Sequence, residues 1–127
     1  MNNAGIIVVE MTTGVKETMD KLERFIREQG ATIYARINQQ AEVASKGGHL
    51  FPLELLMFGN PAAGGPLMAA HPLIALDLPL KLMAWQDEDK KVWLAYNDGN
   101  YLEKRYGIPH APDAVLHLDK LVKLALG

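Results

Sequence analysis

The chain has 127 residues, enough for one hydrophobic core, and its 49% hydrophobic and 22% charged residues match an ordinary globular protein. A formal net charge of -2 gives no basic footprint for nucleic acid, and the absence of cysteine excludes disulfides, thiolate chemistry and cysteine-bound metal. No basic segment precedes a long apolar run near the N-terminus, and the longest apolar-rich stretch, 73–85, is broken by Asp77, Pro79 and Lys81. Neither a secretory leader nor a membrane span is expected, and the default reading is a cytoplasmic protein.

Residues 5–10 are β-branched and read as a strand. Thr12, Thr13 and Gly14 then open a helix, with a threonine hydroxyl as the expected N-cap. Val15, Met19, Leu22, Phe25 and Ile26 recur at helical spacing, and the opposite face pairs Glu17 with Lys21, Asp20 with Arg24 and Glu23 with Arg27. Gly30 ends this helix. A second strand follows over 31–37, then a short helix over 38–46 stopped by Gly47 and Gly48, then a third strand over 52–58.

Residues 59–66 read as a Gly/Pro-rich loop, and 66–70 as a helical turn that ends before Pro72, because the residue preceding a proline avoids the α region. Residues 81–86 and 91–97 form a hairpin across Asp87, Glu88, Asp89 and Lys90. Leu82 and Ala84 alternate with Met83 and Trp85, and Val92, Leu94 and Tyr96 with Trp93 and Ala95, so both faces of the sheet are largely apolar. One face is expected to carry helices and the other a partner subunit or a bound molecule. Asp98, Gly99 and Asn100 cap a short helix that Gly107 stops after Tyr106. A last helix restarts at 109–113 and runs to 126, with Val115, Leu118, Leu121, Val122 and Ala125 on its core side. No repeat or internal boundary is visible, so 1–127 reads as one domain.

Asn60-Pro61 after Phe58-Gly59, then Pro66-Leu67-Met68, Leu76-Asp77-Leu78-Pro79-Leu80-Lys81, Trp85-x-Asp87, Val92-Trp93, Tyr96-Asn97-Asp98 and Tyr101-Leu102 form an ordered motif set. In these residues the chain resembles the domain of unknown function 302 family, over about residue 5 to residue 108, with the C-terminal helix at about 112–126 beyond that region. The resemblance implies an α+β domain with an antiparallel sheet in β-α-β(4)-α order, similar to the TATA-binding-protein-like fold. It implies no reaction, and function lives in sites rather than folds. The chain departs from the family at Asn38-Gln39, where many members look like Asp-His, and at Ala62 and Gly65, where many carry Lys and Thr. The first departure removes a titratable pair, the second a cation and a hydroxyl.

The ligand-binding residues expected from the sequence are Asn60, Gly64, Gly65, Asp77 and Lys81. Gly64 and Gly65 allow close backbone approach, and a helix start at Pro66 would offer free N–H groups to an anion. The ending required of a P-loop is missing, and Asn60 with the two prolines also suffices as plain capping and turn chemistry. Asp77, flanked by leucines, is either an acid–base group or a carboxylate paired with Lys81 or with the backbone of the Pro79 turn. The four histidines show no His-x-x-x-His or Glu-x-x-His pair; His110, Asp113 and His117 could meet near the last helix, but Asp113 is explained as a helix-start acid. No metal, cofactor or catalytic residue is therefore expected. Ser45, the single serine, has no nucleophile motif around it.

The resulting expectation is a homodimer that binds a small molecule or metabolite near residues 60–81, without nucleic acid or membrane. The alternatives are a protein-interaction module without ligand and an enzyme using Asp77 as acid–base with Lys81 as electrostatic partner.

Overall fold

The computed structural model describes residues 4–111 and 114–127. Five antiparallel strands form one sheet in the order β1-β5-β4-β3-β2. They are β1 (Ile6–Met11), β2 (Thr32–Asn38), β3 (Leu53–Gly59), β4 (Leu80–Gln86) and β5 (Val92–Asn97). The long helix α1 (Val15–Glu28) follows β1, and α2 (Gln39–Ala44), α3 (Pro61–Ala70) and a 3-10 helix (Pro72–Asp77) lie within the strand run. Helices α4 (Gly99–Tyr106) and α5 (Asp119–Leu126) close the chain. This is the α+β order expected from the sequence, with short helices inserted between strands.

One apolar face of α1 builds the core. Val15, Met19, Leu22 and Ile26 are buried against Leu56, Phe58, Leu80, Leu82, Ala84 and Leu94 of the sheet. Leu102, Leu116, Leu118, Val122 and Ile74 complete it from the later helices and turns. Fully burying one such leucine contributes about 2 kcal/mol, so the 3.6-residue period of α1 and the two-residue period of the strands fix which faces meet. Tyr96 Oη donates to Asp119 Oδ1 at 2.6 Å, and burial followed by this hydrogen bond pushes the phenol pKa up.

Polar side chains register the helix on the sheet. Arg36 donates to Glu54 Oε1 at 2.7 Å, to Asp20 Oδ1 at 2.7 Å and to Glu23 Oε1 at 3.3 Å. Asp20 was expected to pair with Arg24. It pairs instead with Lys16 at 2.8 Å and with Arg36, because β2 brings a guanidinium across from the sheet. The Glu17–Lys21 and Glu23–Arg27 pairs form as expected.

Several boundaries differ from expectation. The N-cap of α1 is Gly14, without a side-chain cap, because the Thr13 hydroxyl bonds Thr18 Oγ1 at 2.7 Å instead. Helix α3 begins at Pro61 rather than Pro66, with Asn60 as its side-chain cap and Pro66 inside the helix. The last helix begins at Asp119 rather than at 109–113: residues 114–118 form a turn in which Leu116 and Leu118 dip into the core first. Asp113 lies outside the described residues.

The hairpin turn is held by Asp87, which accepts from the N–H groups of Asp89 and Lys91 and from Trp93 Nε1 at 2.8 Å. These bonds, that from Trp93 foremost, hold its carboxyl below the usual range.

On the face of the sheet opposite α1, register produces three rows. Leu53, Trp85, Trp93 and Glu10 form the first, Ile37, Leu55, Met83, Ala95 and Val8 the second, and Ala35, Met57 and Lys81 the third. Among the described residues, Leu55, Met57, Met83, Trp85 and Trp93 belong neither to the buried core nor to the side chains packed against it.

Candidate functional site

The end of the sheet where β3 leaves and β4 begins carries an apolar cavity. Asn60 caps α3 there by accepting from Ala62 N at 3.1 Å and from Ala63 N at 3.4 Å, while its own carbonyl accepts from Gly64 N at 2.7 Å. With Pro61 lacking an N–H, the first-turn donors are taken up, and no helix starts at Pro66. The expected anion-binding loop is therefore a capped helix.

What the helix provides instead is a wall. Gly64 is buried and faces a cavity of about 160 Å³ lined by Tyr34, Gly59, Asn60, Met68, Leu78 and Val115 among others. A Cβ at Gly64 would meet only the Met68 methyl, at 3.9 Å, and one at Gly65 would meet nothing within 4 Å. Both are interior helical positions where alanine would stabilise by about 1 kcal/mol. The helix thus forgoes a stabilising side chain at Gly64, and the space left is the cavity. A longer groove adjoins it, sharing Gly59, Asn60, Leu80 and Val115 and extending past Phe25, His117, Leu118 and Leu121.

The remaining expected site residues are placed elsewhere. Gly65 does not line the cavity. Asp77, at the end of the 3-10 helix, accepts from Arg105 Nη1 at 2.9 Å and from the Tyr106 hydroxyl, which raises the tyrosine's pKa. Lys81 lies in the third row of the face opposite α1, and its Nζ donates to the Pro79 carbonyl at 3.3 Å. Asp77 and Lys81 do not pair. The guanidinium and phenol of α4 reach the carboxylate where the 3-10 helix meets them, while the strand carries the lysine away. An acid–base couple of these two residues has no geometric basis.

A second constellation was not assembled from the sequence. Glu103, on the buried side of α4, accepts from Ala111 N at 2.9 Å and bonds His110 Nδ1 at 2.7 Å and His117 Nε2 at 2.9 Å. The two imidazoles are 5.6 Å apart between ring centroids. Hydrogen bonds from His110, then His117, then the Ala111 N–H pull the Glu103 pKa down to about 2. Gly99 makes the arrangement possible, since a Cβ there would lie 2.6 Å from His117 Nδ1. The signal in the sequence is a glutamate followed by histidines 7 and 14 residues later. Gly107 and Pro109 break the helix between them, so no helical period links the three.

The family model described as "Domain of unknown function DUF302" matches residues 7–125. The chain belongs to this family. The matched region takes in the C-terminal helix that the sequence motifs leave outside. A DUF302 protein of known structure, titled an uncharacterized conserved protein from Bacillus stearothermophilus, superposes with a TM-score of 0.79 at 20% identity, over 96% of this chain and 95% of that one. At that identity the likeness shows the fold. Among curated proteins, the fluoride-specific ion channel FluC 1 of Brucella suis biovar 1 (strain 1330) is 33% identical over 114 residues, which is 90% of this chain and 45% of that protein. FluC 1 of Brucella abortus biovar 1 (strain 9-941) is also 33% identical, with 42% of its length covered. The DUF302 chain thus spans less than half the length of these relatives. No helix among the described residues is long and apolar enough to cross a membrane.

Proposed function

We propose that this DUF302 domain binds a small, largely apolar molecule in the cavity beside Asn60 and Gly64, and does so as a homodimer in the cytoplasm. The observation that carries the reading is the cavity itself: about 160 Å³ with apolar walls, left open by a helical glycine that alanine could replace without a clash. Its volume is close to that of an apolar cavity that takes up benzene, and it opens to solvent on one side. Of the residues expected from the sequence, Asn60 and Gly64 remain ligand-facing in this reading, while Gly65, Asp77 and Lys81 serve the fold and the sheet face.

The homodimer is supported by the face opposite α1. Its rows are apolar and carry one acid, Glu10, and one base, Lys81. A twofold axis lying between two such faces and passing over Ala95, at right angles to the Lys81–Glu10 diagonal, sets each Lys81 opposite the other copy's Glu10. A self-complementary face of this kind is what an isologous interface needs. The same face favours a second reading, an interaction module for another protein. The relatives named as fluoride-specific ion channels support a place for the domain beside a channel, which fits either reading.

The test uses benzene as the probe and methyl-labelled methionine as the reporter. Benzene is expected to shift the Met68 methyl resonance saturably in the native protein and to leave it unmoved in Gly64→Leu. Gly64→Ala should raise the unfolding free energy by about 1 kcal/mol while weakening uptake. A response at Met57 and Met83 instead of Met68 would move binding to the sheet face and overturn the cavity assignment.

A further inference from the structure

We infer that Glu103, His110 and His117 form a binding site for a divalent first-row transition metal ion of the zinc class. One ligand atom from each residue can be chosen so that all lie within 4.8 Å of one another. An ion bonded at about 2.0–2.2 Å to nitrogen and oxygen needs donors roughly 3–4 Å apart. The hydrogen-bonded contacts of 2.7 and 2.9 Å need only open by several tenths of an ångström for the ion to replace the shared protons.

The surroundings suit a cation rather than a mere polar clasp. The donor set is two imidazoles and one carboxylate, which as metal ligands together carry a net negative charge. Glu103 is buried, with its side chain 5% exposed, so that charge is poorly served by water. The carboxylate presents Oε1 to His110 and Oε2 to His117, and the Ala111 N–H on Oε2 acts as an outer hydrogen bond that orients the ligand. His117, 12% exposed, is seated in the notch that Gly99 leaves open, which fixes its ring. His110 is 60% exposed, so the site has an approach from solvent and room for water in the remaining coordination positions. Two histidines and one carboxylate with open positions is a donor set that zinc and its neighbours occupy, and calcium or magnesium do not favour. His117 also lines the groove beside the proposed ligand cavity, but the metal assignment does not depend on that ligand.

Isothermal titration of untagged, chelator-treated protein with zinc chloride tests the site. One ion per chain is expected, with micromolar or tighter affinity. The exposed ligand variant His110→Ala should weaken binding by about 100-fold or more, since loss of even an outer-shell partner costs 10–100-fold. His110→Ala should keep the native circular dichroism, which separates loss of a ligand from loss of the fold. His71→Ala, remote in sequence from the site, should bind as the native chain does. Absence of saturable zinc binding, or equal binding by His110→Ala and the native chain, or equal loss in His71→Ala, would overturn the assignment. Failure of benzene to enter the cavity would leave this result untouched.

Discussion

Replacing Arg36 with methionine is expected to lower the unfolding free energy by about 3 kcal/mol, at the lower end for breaking a buried ion pair because the site is partly exposed. The guanidinium touches Glu54, Asp20 and Glu23 at 2.7, 2.7 and 3.3 Å and joins α1 to β2 and β3. Methionine fills much of the same volume but leaves Glu54 without a counterion, its side chain only 11% exposed. The loss therefore comes from the stranded carboxylate more than from the missing attraction. Adding Glu54→Leu to Arg36→Met should recover most of the stability, since an apolar pair replaces an ion pair at little cost. Urea denaturation of the two variants checks both statements. A double variant no more stable than Arg36→Met alone would show that the Glu54 contact is not the main element.

Replacing Met83 with lysine is expected to dissociate the homodimer while sparing the fold. Met83 sits in the middle row of the apolar face, between Leu55 and Ala95. A lysine there has a stem of similar length, so the monomer can hold its charge in water. Across the proposed interface each new charge would be desolvated against apolar side chains. Burying a charge in that way costs several kcal/mol, so the dissociation constant should rise by about 100-fold or more. Sedimentation velocity should show the shift from dimer to monomer while the circular dichroism stays native. A dimer that persists unaltered would place the contact on another surface.

How much of this was legible in the sequence varies by element. The α1 stripe and the alternation in β4 and β5 are periodic signals, and burial follows them directly. Helix α3 was hidden by its own composition. Gly64, Gly65 and Pro66 speak for a loop, yet Asn60 caps and Pro61 starts a helix that runs to Ala70. Packing of Leu67 and Met68 against the core outweighs the poor local propensity. The chain before α5 misled in the opposite way: Val115, Leu116 and Leu118 look like a helical stripe, but two of them reach the core from a turn.

For the sites, Asn60 and Gly64 could be singled out because glycine, proline and asparagine advertise unusual backbone. Asp77 was singled out for its leucine neighbours, but its partners Arg105 and Tyr106 lie 28 and 29 residues away, beyond any local pattern. Glu103 gave only the faint signal of histidines 7 and 14 residues later. It occupies an ordinary position in a short amphipathic helix, and its two histidines follow only after the chain has turned at Gly107.

The central claim is that this DUF302 domain is a homodimer with a small molecule in the cavity beside Gly64. Native mass spectrometry of gently purified protein tests it most directly. The account predicts a dimer carrying an adduct of discrete mass that is absent from Gly64→Leu. A monomer without adduct in the native chain would contradict it.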